Sequence, residues 1–351
     1  MTRPSSGADR LLGLDLARYV AFVGMVIVNF KIAMGAEGGA GLAAAVTSAI
    51  EGRAAATFVV LAGIGLGLAG QAGLAQTGAV TLRRALFLLA LGLVNMTIFE
   101  ADILHYYAVY FVFGVALLRL SSAGLIAVMA GLNGLALVMI LSLDFDQGWD
   151  WQSYHYADFW TATGFLRNLF FNGWHPVVPW LGFLVFGVLL SRQALAERAV
   201  QLRLVLGGGL AVALAEAGSG MLAPVLASID PELAVLAGTD PVPATVFYFV
   251  AGCGAAAAVV GACLLLAGPL ARVGLVSLLV PAGRQTLTLY IAHIVLGMGA
   301  LEALGLLGGR SVQEALIAAL VFCAVATVYA VLWARLFKRG PIEAAMRRIA
   351  G

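Results

Sequence analysis

The sequence predicts an all-α protein: a polytopic bundle of transmembrane helices with ten or eleven spans and both termini in the cytoplasm. Three observations predict it. Of 351 residues, 62% are hydrophobic, only 11% are charged, and the apolar residues gather into long runs. An ordinary soluble domain carries about 25% charge, and a soluble core of this length cannot hide so much apolar surface. The composition therefore excludes a soluble Rossmann or barrel enzyme, a disordered chain and a secreted disulfide scaffold. A net charge of +2 is too small for a nucleic-acid surface. Cys253, Cys263 and Cys323 lie in apolar runs, with no CxxC spacing and no neighbouring His, so neither a metal nor a disulfide framework is indicated.

A span needs about 20 mostly apolar residues, because in lipid only hydrogen-bonded helices or closed barrels satisfy the backbone. Ten runs meet this need: 16–34, 54–74, 84–100, 103–118, 122–141, 175–191, 204–226, 244–268, 285–307 and 315–336. The third and fourth are tightly joined at Glu100–Asp102, and the stretch 273–281 reads as an interfacial or re-entrant piece. The alternation of a transmembrane barrel is missing. Residues 1–351 thus read as a single integral-membrane domain. With the N-terminus inside, the inner loops collect 16 of 20 cations, leaving Lys31, Arg53, Arg167 and Arg310 outside. Asp9 and Asp15 precede the first apolar core, which argues against a cleaved signal peptide.

The longest polar interruption, 144–174, falls outside and holds four acids, His155 and four tryptophans. It reads either as an amphipathic cap at the headgroup level or as a lid over an outward-facing site. Gly65-Leu-Gly67-Leu-Ala-Gly70 matches GxGxxG but sits inside an apolar helix with no suitable acid following, so it reads as close helix packing. The same holds for Gly207-Gly208-Gly209 and for Gly252, Gly254 and Gly261.

Ionisable groups near the membrane core are costly and therefore informative. Asp15 and Arg18 share a helix face at i and i+3: either they form a local ion pair, or Arg18 turns inward toward an anionic ligand. Asn29, three turns on, is either an interhelical hydrogen bond or part of a site. Asp102 and His105 are three apart, a spacing that lets a carboxylate fix the tautomer of an imidazole base. His175-Pro176-Val-Val-Pro179-Trp180 opens the sixth span, where His175 caps the helix start or points into a cavity. Mid-span His293 is a neutral imidazole bonded to a neighbouring helix, and Glu216 is protonated, paired or part of a broken helix; both are also candidates for a proton pathway.

These residues resemble a known group. Arg10-xxx-Leu14-Asp15-xx-Arg18, with Gly-Met-Val-Ile-Val-Asn ending at Asn29, is similar to the N-terminal signature of bacterial DUF418 (YeiB-like) proteins and heparan-alpha-glucosaminide N-acetyltransferase-like proteins. Glu51-Gly52-Arg53, Ile103-Leu104-His105-Tyr106-Tyr107-Ala108 and His175-Pro176-xx-Pro179-Trp180-Leu181-Gly182 with Arg192 resemble the next elements in order. Gly283-Arg284-xx-Leu287-Thr288-Leu289-Tyr290-xx-His293 and the tail Arg339-Gly340-Pro341-Ile342-Glu343 near Trp333 complete the series.

The resemblance implies a multi-pass acyltransferase of the bacterial cytoplasmic membrane. Such a protein takes an acyl group, typically acetyl, from cytoplasmic acyl-CoA to a hydroxyl or amine of a small-molecule or sugar acceptor on the far side. No permanently bound cofactor and no metal is implied; acetyl-CoA is a cosubstrate, the lipid bilayer a partner, and the assembly a single chain or a homodimer. By this carry-over Arg18, Arg284 and Arg192 are candidates for the CoA phosphates, a task suited to planar guanidinium groups. Asn29 helps stabilise the thioester oxyanion. Tyr106, Trp180 and His293 are candidates for the acceptor. The relatives carry a catalytic His about a dozen residues after the Asn, but residues 35–49 here contain none. The base is then His105, oriented by Asp102, or His175. The alternative class is a transporter or flippase for a small anionic or lipid-linked molecule, with Glu216 and His293 as proton carriers; no evident internal repeat supports it.

Overall fold

The computed structural model describes residues 11–36 and 38–351, and it is almost entirely helical. The helices are α1 (Leu12–Ala33), α2 (Leu42–Ile50), α3 (Arg53–Ala72), α4 (Leu74–Asn95), α5 (Leu104–Leu117) and α6 (Ser122–Ser142). A two-stranded antiparallel hairpin follows, β1 (Trp149–Asp150) with β2 (His155–Tyr156). Next come α7 (Ala162–Arg167), which runs into a π turn over Asn168–Asn172, then α8 (Val177–Ser191), α9 (Arg198–Ile229) and α10 (Val246–Arg272). The chain ends with α11 (Leu275–Gly283), α12 (Thr286–Ala292), a π turn to Met298, α13 (Gly299–Ala303), α14 (Val312–Leu336) and α15 (Pro341–Ala350).

All ten apolar runs become helix, yet among the described residues only eight helical stretches are long and apolar enough to cross a membrane. The count is nine if α7 with its π turn and α8, bent by 51°, make one span. The helix expected at 103–118 is α5, with 14 residues. At 1.5 Å per residue it extends about 21 Å, short of the roughly 30 Å hydrocarbon layer. The run expected at 84–100 is displaced: α4 covers Leu74–Asn95, because nothing in 74–83 breaks a helix while residues 96–103 turn. Arg83 and Arg84 consequently lie within this helix rather than ahead of it.

The bundle centres on α1, which packs against α3, α10, α11 and α14, while α3 packs on α8. The outside is greasy. On peripheral α9, Leu206, Leu210 and Leu214 are 71%, 59% and 62% exposed at successive i+4 positions, a stripe suited only to lipid. Small residues permit the close approaches. A Cβ at Gly187 would stand 2.1 Å from the Val60 carbonyl oxygen, and one at Gly63 2.0 Å from that of Leu184. Gly67, inside the GxGxxG match, abuts Ser191, and Gly208 abuts the Gly254 carbonyl, so these glycines serve packing. Gly187→Ala should therefore force α3 and α8 apart and cost about 1–3 kcal/mol, read as a lower melting temperature of the purified protein. An unchanged melt would contradict the contact.

Residues 144–174 form a compact cap. Asn172 Nδ2 donates to the carbonyls of Phe145 and Gln147, and its Oδ1 accepts from the Tyr156 hydroxyl at 2.7 Å. Arg167 holds Asp158 through both carboxylate oxygens at 2.6 and 2.7 Å. Burial pushes the Tyr156 phenol upward, keeping it a neutral donor. Glu100 ties the cap to the α4–α5 junction by pairing with His155 and accepting the Tyr156 N–H at 2.8 Å.

Candidate functional site

Two cavities enter the bundle from opposite faces. The first opens on the basic face, where α1, α6, α9 and α12 begin. It has a volume of about 320 Å³. Asp15 organises its mouth. This carboxylate, 1% exposed, accepts from Arg18 Nη1 at 2.7 Å and from Arg284 Nε at 3.1 Å, so one buried anion aims two guanidiniums into the cavity. Arg284 can come this close because Gly283 leaves room for the Asp15 carbonyl; a Cβ there would lie 1.9 Å from it. Arg84 from α4 adds a third guanidinium to the lining, and its buried Nε has no hydrogen-bond partner. The apolar wall includes Met25, Phe58, Leu61 and Leu88, and the deep end carries Tyr107 and Tyr290. The Tyr107 hydroxyl is buried without a partner, so it remains available to a polar atom in the cavity.

Helix α15 closes one side of this cavity through Glu343 and Met346. Glu343 accepts from the Leu287 N–H (2.8 Å), the Thr288 N–H (3.1 Å) and the Thr288 hydroxyl, capping the start of α12, where carboxylates suit the helix dipole. The two C-terminal motifs of the sequence are therefore one clasp. Glu343→Gln should weaken the charge-assisted bonds by about 1.5–3 kcal/mol and release α15. Faster limited proteolysis after Leu336 would report this; wild-type resistance would contradict it.

The second cavity, about 60 Å³, lies on the cap face and is lined by Asn29, Glu51, Trp174 and His175. Glu51 is neutralised by Lys31, whose Nζ is 2.6 Å away. Met25 lines both cavities, so its side chain lies between them. His175 Nδ1 is buried and unpartnered. Its ring rests edge-on against Trp180 at 4.6 Å and against Tyr106 at 5.9 Å.

The other two bundle histidines are already engaged. His293 Nδ1 bonds the Tyr290 carbonyl, which can only accept; this places the proton on Nδ1 and leaves Nε2 to accept from Asn29 Nδ2 at 2.9 Å. Asn29 thus spends one of its two N–H groups. His105 Nδ1 donates to Asp102 Oδ2 at 3.1 Å. Asp102 also accepts from Asn95 (2.8 Å), the Tyr290 hydroxyl (3.2 Å) and the Leu104 and His105 N–H groups. It anchors the start of α5 as well as orienting His105. His105 Nε2 has no partner, but the residue is fully buried and lines neither cavity.

The structure therefore brings Arg18 and Arg284 together at one cavity and Asn29 and His175 together at the other. It seals Asp102 and His105 behind Tyr290. Tyr106 is buried and donates to Asn168 Oδ1 at 2.5 Å, Trp180 is fully buried beside His175, and His293 supports Asn29; none of the three lines either cavity. Arg192 stands apart: its guanidinium reaches the carbonyls of Leu118 and Leu120 and the Ser122 hydroxyl, holding the α5–α6 turn. Glu216 pairs with Arg53 and accepts from Thr239 at 3.2 Å. Arg10 lies outside the described residues. Inner-face charge already set Arg84 beside Arg18 and Arg284 as suited to an anionic donor, whereas Tyr107, Tyr290 and Glu343 were not legible as site residues. The double arginine of the third span and the tyrosine and glutamate inside the two C-terminal motifs were the available signals.

Comparison with known families assigns both halves of the chain. The catalytic family of heparan-alpha-glucosaminide N-acetyltransferase matches residues 10–222. The family DUF418, described as proteins of unknown function, matches residues 191–351. The first match contributes Asp15, Arg18, Arg84, Asn29 and His175, and the second Arg284, Tyr290 and Glu343, so the cavity on the basic face draws on both. No curated protein and no solved structure matches the chain. The chain is a multi-pass membrane protein that belongs to the heparan-alpha-glucosaminide N-acetyltransferase catalytic family and ends in a DUF418 region.

Proposed function

We propose that this protein is an integral-membrane acyltransferase that moves an acetyl group from acetyl-CoA, taken up at the basic face in the cytoplasm, to a hydroxyl or amine of an acceptor reached from the cap face. The observation that carries this reading is the pair of cavities that share Met25 in their linings, with three guanidiniums in one and Asn29 and His175 in the other. Arg18, Arg84 and Arg284 bind the donor phosphates. The apolar wall takes the pantetheine arm, and the thioester carbonyl accepts from the Tyr107 hydroxyl, a donor in a dry site. His175 takes the acceptor proton as the nucleophile attacks; the C–S bond breaks, a C–O or C–N bond forms, and the thiolate leaves toward the basic face. Met25, flexible and unbranched, must swing aside for the two substrates to meet.

The test is binding first. Acetyl-CoA, but not free acetate, should raise the melting temperature of the purified protein. Tyr107→Phe should lower kcat for acetyl-CoA turnover with little change in KM. A transporter of small anions would respond to acetate, or would bind acetyl-CoA without turning it over; either outcome replaces the acyltransferase reading.

A further inference from the structure

A crevice of about 260 Å³ opens between α6 and α9 in the half of the bundle nearer the cap, beside Ile140 near the end of α6 and Val246 at the start of α10. Helix α6 packs mainly on α8, and α9 mainly on α10, so a gap stays open between α6 and α9 with the start of α10 as its floor. Ala136, Leu226 and Phe247 line it, and Leu137 and Leu222 on opposite rims are each 39% exposed toward lipid. No charged side chain is among its lining residues. Its two polar ones, Asn133 and Thr245, donate to the carbonyls of Met129 (2.9 Å) and Gly238 (2.6 Å). Such walls suit hydrocarbon, since a charged or strongly polar group there would lose its hydration without gaining a counterpart.

The crevice adjoins the cavity of His175. Pro241 and Val242 line that cavity, while Ala244, Thr245 and Val246 line the crevice. Val242 and Ala244 are two residues apart, so their Cα atoms lie within about 7.6 Å of each other. One short segment is thus a wall of both spaces. The cavity of His175, about 60 Å³, has room for a hydroxyl or amine but not for a large acceptor, because whole-ligand pockets typically measure about 300–1,000 Å³. The rest of the acceptor lies outside it. We propose, on the basis of the acyltransferase reading, that the acceptor is a lipid of the cap-side leaflet, with a hydrocarbon chain in the crevice and a headgroup hydroxyl or amine beside His175. The headgroup oxygen or nitrogen attacks the thioester carbon, its proton passes to His175, the C–S bond breaks and CoA leaves as the thiolate. A chain held in the crevice presents the headgroup at a fixed depth, the positioning that a larger pocket would otherwise supply.

The experiment uses the full chain in nanodiscs of phosphatidylcholine, which has no free hydroxyl or amine. Radiolabelled acetyl-CoA is supplied with either the chloroform-soluble lipids or the water-soluble fraction of the cells that naturally make the protein. Label is followed into products in the organic and aqueous phases, and the thermal shift with acetyl-CoA is measured alongside. Label should enter a lipid product in the organic phase. Ala136→Phe, which fills the crevice, should reduce that transfer about tenfold or more while acetyl-CoA still raises its melting temperature. Leu210→Trp, on the lipid-facing stripe of α9, should transfer like the wild type. If Ala136→Phe does not fold, Leu137→Trp at the rim narrows the mouth without entering the core and should give the same loss. With the acetyl-CoA shift present, label confined to water-soluble products, label in neither phase, or lipid labelling undiminished in the crevice variants overturns the lipid acceptor alone. No shift and no turnover with acetyl-CoA removes the acyltransferase reading, and the lipid acceptor with it.

Discussion

His175→Ala should lower kcat for acetyl transfer by 10² to 10⁴-fold, the usual range for loss of a general base, while leaving KM for acetyl-CoA nearly unchanged. The reason is position. His175 is the only histidine lining either of the two cavities, and its Nδ1 has no partner. Its ring is held by Trp180 and Tyr106 rather than by hydrogen bonds, so alanine deletes the base without orphaning a polar group. His105→Ala is the informative companion. Asp102 would keep its other four donors, so α5 should remain anchored. Turnover abolished by His105→Ala and retained in His175→Ala would transfer the base role to His105 and require a rearrangement that opens the pocket around Tyr290.

The second large effect is expected from Asp15→Asn. One carboxylate aims both Arg18 and Arg284, and its loss removes two charge-assisted contacts at once. KM for acetyl-CoA should rise about 10- to 100-fold, as expected when contacts to charged groups lose their geometry. Stability should fall by about 1.5–3 kcal/mol, the usual worth of hydrogen bonds to a charged group, since both guanidiniums stay partly solvated. Arg284→Ala should raise KM similarly but destabilise less, because its side chain is 38% exposed and solvated. A double variant no worse than either single change would show that the two residues act as one unit. An unchanged KM in both would remove the arginine pair from donor binding.

Much of the fold was legible in the chain itself. Lipid demands long apolar helices, so the runs could be located from composition alone, and all ten are helical. The misses have physical causes. The third span begins ten residues early because Gln76 and Thr77 interrupt hydrophobicity without interrupting a helix. The run at 103–118 is apolar enough, but a carboxylate cap at Asp102 and the turn at Leu118 leave it too short to span alone. The ion pair of Asp15 with Arg18 and the hydrogen bond of Asp102 with His105 were accessible because each joins residues at i and i+3. Glu216 with Arg53, and Glu343 with the start of α12, join residues far apart in sequence, and no local spacing signals them.

By itself the sequence determined that this protein lives in a membrane as a helical bundle, and its six ordered motifs marked the family. Which polar residues face a cavity was decided only by the tertiary structure. A membrane helix is apolar on every side, because lipid and protein interior are equally greasy, so its pattern does not say which face turns inward. That choice is made by close contacts such as Gly63 with Leu184 and Gly283 with Asp15, which set how each helix is rotated. Those rotations place Arg84 and His175 in cavities, send Arg192 to cap a turn, and bury His105 behind Tyr290.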